Sequence, residues 1–294
     1  AKLSFKISYQ WHPINGHAPF NAIVEDGSFM RISRYYPQFG YDEGKELDDI
    51  QLRKKHGLGA PTELRKLETP KNDIDDAIDL NMQISTSKNQ IAVGTGELAE
   101  KWQVDGRNFY EFTAASIPFR FAVSSAAYQT KSVEHNNMDI TVYHHPLHKN
   151  NVDHLIENTK LTLDYCIENF GPYPYTSINY SEVSSFTQGF AGTAYPGTIF
   201  MTENMTFNAN LTVGDNQDVV NELAGHEVAH FWWGTNQIQP DYREGYSMLT
   251  ESLAMYTEMM IYKKLYGKEK MMERLAIHQQ IYDAEKGLHE EKSL

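Results

Sequence analysis

The chain has 294 residues, 40% of them hydrophobic and 12% aromatic, with 26 basic against 39 acidic side chains for a formal charge of −13. That balance disfavours nonspecific nucleic-acid binding, which needs clustered lysine and arginine, and no apolar run approaches the roughly twenty residues that span a bilayer. A single cysteine excludes an internal disulfide and any cysteine-based metal cluster.

Residues 1–11, AKLSFKISYQW, alternate like a strand and lack the basic start and apolar centre of a signal peptide. Asp26-Gly27 and Asp105-Gly106 read as hairpin turns. Between Asp42 and Lys71 runs a polar excursion expected to hold a little helix. Further strands are predicted over 79–85, 119–124 and 140–143. From about His144 the pattern changes to a helix over 151–170, ending at Gly171-Pro172, and Cys166 falls on its apolar face as a small core residue. Strands near 177–183 and 198–201 precede two helical patterns. The expected organisation is α+β, with a β-rich domain at 1–146 and a second domain at 147–294.

The first of those two helices carries HEVAHFWWG, His226 to Gly234. Histidines four apart on a helix sit about 40° apart around its axis, so both imidazoles can bind one ion. Glu227 shares that sector and can reach a water on the ion. The pattern points to a zinc site with His226 and His230 as ligands and Glu227 as general base. Asp215 or Asn216 is the expected N-cap, Val219, Val220, Leu223 and Val228 supply apolar positions, and Gly234 is the stop. Glu251 opens the second pattern, 248–264, where Ala254, Met255, Met259 and Tyr262 at helical spacing would hold it as third ligand. Glu244, in the loop-like PDYREG, is the competing ligand. Glu222 is one turn before His226 and could support it, and the four histidines 144, 145, 148 and 154 share no face for a second metal.

HEVAHFWWG followed by TESLAMY resembles the HExxH plus downstream glutamate signature of the M1 (gluzincin) zinc aminopeptidases. Thr250-Glu251-Ser252 stands for that family's Asn-Glu-Gly. Twenty residues lie between His230 and Glu251, longer than the family's usual interval and similar to a divergent M1-like branch fused to bacterial ABC-type permeases. The resemblance implies a partial saddle-like β domain followed by a thermolysin-like catalytic domain truncated at its C-terminus. It implies one Zn²⁺ per chain, a peptide substrate, and membrane association on the extracytoplasmic face through permease segments outside this chain.

It also implies a substrate strand at Gly192, Thr193, Ala194 and Tyr195. Ala194 stands where the family's amine-binding glutamate would be, and Tyr195 where its asparagine would be. Glu203 is a remote substitute for that carboxylate. No tyrosine after Glu251 lies in the family's oxyanion-stabilising context, Tyr256 and Tyr282 being placed as core or interface residues. The function read from these residues is a zinc metallopeptidase of aminopeptidase type. The alternative is a catalytically silent peptide-binding or sensory domain of a membrane transporter.

Overall fold

The computed structural model describes residues 17–18, 21–24, 27–36, 46–47, 49–63, 66, 77–185, 187, 191–211, 218–234, 238–240 and 245–286. The expected strand at 1–11, the caps Asp215 and Asn216, and Glu244 lie outside them.

Among the described residues three sheets form, and the strand and helix content makes the chain α+β. β1 (His17–Ala18), β2 (Asn21–Val24), β3 (Gly27–Met30), β8 (Val123–Ala126) and β5 (Ile91–Gly94) form one antiparallel sheet in that order. β4 (Ile78–Ser87), β7 (Arg107–Ile117) and β6 (Glu97–Val104) form a second. The Asp105-Gly106 turn is where the sequence puts it. Both residues have positive φ, 48° and 73°, the conformation a two-residue hairpin asks of Asp-Gly. Gly27, by contrast, already pairs with Val24 as the first residue of β3. Among its described residues the polar excursion holds a helix, α1 (Ile50–Lys55), capped by Asp49.

The strand expected over 119–124 is displaced. β7 ends at Ile117 because Ser116 takes φ 53° and Pro118 has no N–H to donate. Residues 118–122 then run as irregular chain, held where Thr95 N and Ala122 O bond at 3.2 Å and Ala122 N reaches Thr95 Oγ1 at 2.9 Å.

The third sheet positions the site. Its order is β12 (Gly192–Tyr195), β13 (Thr198–Thr202), β11 (Ser177–Val183), β10 (Met138–His144), β9 (Gln129–His135). β9 and β10 make an antiparallel hairpin over Asn136 and Asn137, both at positive φ. The parallel step from β10 to β11 is made by α2 (Val152–Phe170), and β11 and β13 are also parallel. Two strands of this sheet therefore precede residue 146, so the sheet runs across the expected division of the chain. The sequence signal at 146 is the start of α2, not an edge of the sheet.

α2 and α3 (Val219–Ala229) cover this sheet, burying Ile140, Leu155, Leu163, Ile178, Ile199 and Val228 completely. Cys166 lies in this core, and burial pushes its thiol well up, so it is an inert apolar filler. Asp218 caps α3: Oδ1 accepts from Asn221 N at 3.0 Å, while Oδ2 accepts from Tyr266 at 2.5 Å and pairs with His154 Nε2 at 2.7 Å. One buried carboxylate thus ties together α2, α3 and α4 (Glu251–Glu285). α4 is broken at Gly267, whose φ of 86° and ψ of 169° no helix contains. Among the described residues no helix is long and apolar enough to cross a membrane.

Candidate metal centre

α3 ends at Ala229, with His230 as its C-cap. The aromatic run after it anchors that end. Trp232 is fully buried and donates Nε1–H to Gly171 O at 3.0 Å, and Trp233 Nε1–H reaches Thr257 Oγ1 at 3.0 Å. Phe231 meets Tyr173 edge-on at 5.2 Å. Gly234, at φ 102°, turns the chain so tightly that a Cβ there would lie 2.8 Å from Thr250 Cγ2. The segment from Gly234 therefore packs directly on the residue before Glu251, which brings the third acid to the histidines.

The structure brings His226, His230 and Glu251 together. His226 Nε2 and His230 Nε2 are 3.2 Å apart, and Glu251 Oε2 lies 3.2 Å from the first and 3.6 Å from the second. A tetrahedral ion with bonds of about 2.0–2.1 Å sets its donor atoms about 3.3–3.4 Å apart. The three residues fit one such ion. The unused nitrogens point the right way for this: His230 Nδ1–H donates to Trp233 O at 3.0 Å, and His226 Nδ1 faces Glu258 Oε2 at 3.4 Å. Both Nε2 lone pairs are thus left for a cation.

Charge around the cluster agrees. Burial works against a positive His226, but hydrogen bonds to Glu251 and Glu258 and the field of Glu227 carry its pKa up to about 10. Hydrogen bonds from His226 and His230 hold the Glu251 carboxyl well below the usual range. Two imidazoles and a carboxylate this close demand a cation between them, either a proton or a metal ion. The Glu251 side chain is 65% exposed while those of His226 and His230 are 17% and 13% exposed. One flank of the cluster is therefore open, as in reactive metal sites and unlike closed structural ones.

Glu227 is buried at 6% exposure against β12. A Cβ on Gly192 would meet Glu227 Oε1 and Cγ at 2.8 Å, so any side chain there must displace that carboxylate. Among the described residues β12 is the edge of its sheet. Its two-residue turn pairs Tyr195 with Thr198 and Thr193 with Phe200, which directs the main-chain groups of Gly192 and Ala194 away from β13. Ala194 is buried in the core with Val228, Thr193 accepts Arg120 Nη2–H at 2.8 Å, and Tyr195 lies under the Arg120 guanidinium at 4.8 Å.

Glu222 differs from its expected role. It is buried and contacts Arg274, not His226, and burial together with Glu258 pushes its pKa up to about 7. The support of His226 falls instead to Glu258, which the sequence reading missed. The signal was available: Glu258 follows Glu251 by seven residues, two turns on one stripe of α4. Glu203 accepts from Ser185 N and Oγ at 3.0 and 2.6 Å. Tyr256, five residues after Glu251, lies about 140° around the helix from it and is exposed. Tyr282 is exposed too and carries Lys286 over its ring.

The four clustered histidines do not converge. His154 serves Asp218, and His148 joins Glu182 and Glu203, with one donor atom from each within 4.8 Å of the others. Its Nδ1 is 2.5 Å from Glu182 Oε1, a hydrogen bond too short for two donors on one ion. His145 N fills the other oxygen at 2.6 Å. This group pins the loop after β10 to the end of β11.

Residues 154–293 match the family model described as the peptidase family M1 domain. The chain has no match among curated proteins.

Proposed function

Because residues 154–293 match the peptidase family M1 domain, we propose that the α3–α4 junction is the centre of a zinc-dependent metallopeptidase. His226, His230 and Glu251 are its ligands and Glu227 its general base. The observation that carries this reading is the 3.2, 3.2 and 3.6 Å spacing of the three donor atoms, with one open flank. Zinc held there supplies a Lewis acid and brings the pKa of a bound water toward neutrality. Glu227, fixed beside Gly192, accepts the proton of the attacking water and returns it to the leaving nitrogen.

A peptide running along β12 pairs with the outward main-chain groups of Gly192 and Ala194, an addition that needs no particular side chain. Ala194 offers a methyl group where an amine-binding carboxylate would stand, so a free amino terminus gains no charged partner there. The site is accordingly read as a peptidase that accepts blocked amino termini. The order α2, β11, the β12–β13 hairpin, α3, α4 supports a thermolysin-like catalytic half. A silent sensory domain of a membrane transporter remains the second reading. Ala194 favours it, while the fitted carboxylate of Glu227 speaks against it, since a structural site needs no base.

The test is metal content by mass spectrometry together with hydrolysis of matched free and N-acetylated peptides. One zinc per chain, with cleavage of both peptides lost to a chelator and restored by zinc, is the expected result. A chain that retains no zinc after reconstitution sinks the proposal.

Gly192→Ala is the sharpest probe of the base. The backbone there tolerates alanine, so stability should change by less than about 1 kcal/mol. The new methyl must push the Glu227 carboxylate aside, and a shift near 1 Å costs about 100-fold in rate. Zinc content should not change. Wild-type turnover in this variant would separate β12 from the base.

A further inference from the structure

Beyond the ligands, a buried ionic chain runs away from His226 and ends on a residue far down the sequence. Glu258, 4% exposed, faces His226 Nδ1 at 3.4 Å through Oε2. Its other oxygen accepts Arg274 Nη2–H at 2.8 Å. The second arm of that guanidinium, Nη1, contacts Glu222 on α3, itself 9% exposed. The Arg274 side chain is 11% exposed and its guanidinium lies 5.7 Å from the centre of the Tyr262 ring.

We propose that Arg274 is a positioning residue for the metal centre. By clasping Glu258 and Glu222 it fixes the carboxylate that orients the His226 ring, and so sets metal affinity from outside the ligand set. The inference rests on the zinc reading of His226, His230 and Glu251.

The geometry makes the clasp necessary. Glu251 and Glu258 stand on one stripe of α4, about 10 Å apart along its axis. The His226 ring is held between them, one nitrogen to each. A carboxylate this deeply buried is stable as a charge only when paired. A ring whose second nitrogen loses a fixed acceptor is free to turn, and the metal then bears the cost of ordering it. α3 and α4 are also close here, a Cβ on Gly225 lying 3.5 Å from Glu258 Cα, so Glu258 has little room to find another partner.

Arg274 reaches this place only because α4 breaks. At Gly267, φ 86° ends the first helical segment, and the second carries Arg274 back to the α3–α4 contact. The planar fork of arginine suits two carboxylates on different helices, and lysine does not reproduce it.

The test compares zinc affinity, by competition with a chromophoric chelator, in the wild type, Arg274→Met, Arg274→Lys and Asp218→Ala. Arg274→Met should weaken zinc binding by about 10- to 100-fold, the range for partners that support a metal ligand. Its cobalt-loaded form should show an altered visible absorption spectrum. Arg274→Lys should restore part of the affinity. Asp218→Ala cuts a different buried link between α2, α3 and α4, and should lower the thermal midpoint while zinc affinity stays within about two-fold, as for independent sites. Wild-type affinity in Arg274→Met overturns the proposal, and so does an equal loss in Asp218→Ala, which would mark the effect as general loosening. If Arg274→Met does not fold, Arg274→Lys decides alone, with weakened binding supporting the proposal and unchanged binding overturning it. A wild type that holds no zinc would instead overturn the reading of the site itself.

Discussion

Glu227→Gln is expected to cut peptide hydrolysis by about 10²- to 10⁴-fold while one zinc per chain stays bound, a barrier increase of about 3–5 kcal/mol. The amide keeps the size of the carboxylate and so preserves its fit against Gly192, where an added Cβ would lie 2.8 Å from Oε1. It cannot accept the proton of the attacking water. Glu227 lies outside the three-donor cluster, so metal content should hold. The measurement is kcat and zinc stoichiometry on the same preparation. Full activity would remove Glu227 from the chemistry, and loss of zinc together with activity would make it part of the metal-binding frame. The prediction separates the two readings of the chain, because a silent binding domain is indifferent to this change.

Much of this centre is legible in the sequence because it is local. The four-residue interval between His226 and His230 is set by helix geometry, and the FWW run announces a buried helix end. Tyr173, Gly171 and Thr257 receive those three aromatic side chains. The helix that Glu251 opens is legible from the apolar pattern behind it: Ala254, Met259 and Tyr262 are buried and Met255 is half-buried.

What escapes is tertiary. Glu258 stands on the same stripe as Glu251, yet its role depends on which way the His226 ring presents Nδ1. Arg274 lies past a helix break, and Gly267 alone does not say where the chain goes next. Its pairing with Glu222 also explains why that residue is buried rather than a support for His226. The β9–β10 hairpin was hidden differently. Its polar edge strand, with Thr130, Lys131 and Glu134 exposed, looks like part of the preceding β-rich segment. Only the parallel pairing of β10 with β11, made through α2, assigns it to the sheet beneath the site. The strand expected over 119–124 starts only at Val123 for a local reason, since Pro118 and the positive φ of Ser116 outweigh the apolar run after them.

Glu251→Ala should abolish stoichiometric zinc retention and hydrolysis together, a larger loss than the about 10- to 100-fold expected for a supporting residue. Two histidines alone leave the ion short of the three protein donors a reactive zinc site uses. The effect should also appear in stability. Free zinc at 100 times its dissociation constant stabilises the wild type by about 2.7 kcal/mol, and the variant should lose that response to added metal. The physical basis is the way the long interval after His230 is folded. Gly234 turns the chain, Trp233 bridges to Ile238, and a short 3-10 helix, Tyr246–Leu249, delivers Thr250 onto Gly234. Glu251 then opens α4 with its Oε2 3.2 Å from His226 Nε2. Glu251 is thus placed by the contact of Thr250 with Gly234, whatever the length of chain between them. Glu244→Ala is the matched control, since that acid lies within the same interval. Zinc retained in Glu244→Ala and lost in Glu251→Ala assigns the third ligand, and the reverse pattern would move it to Glu244 and make Glu251 a bystander.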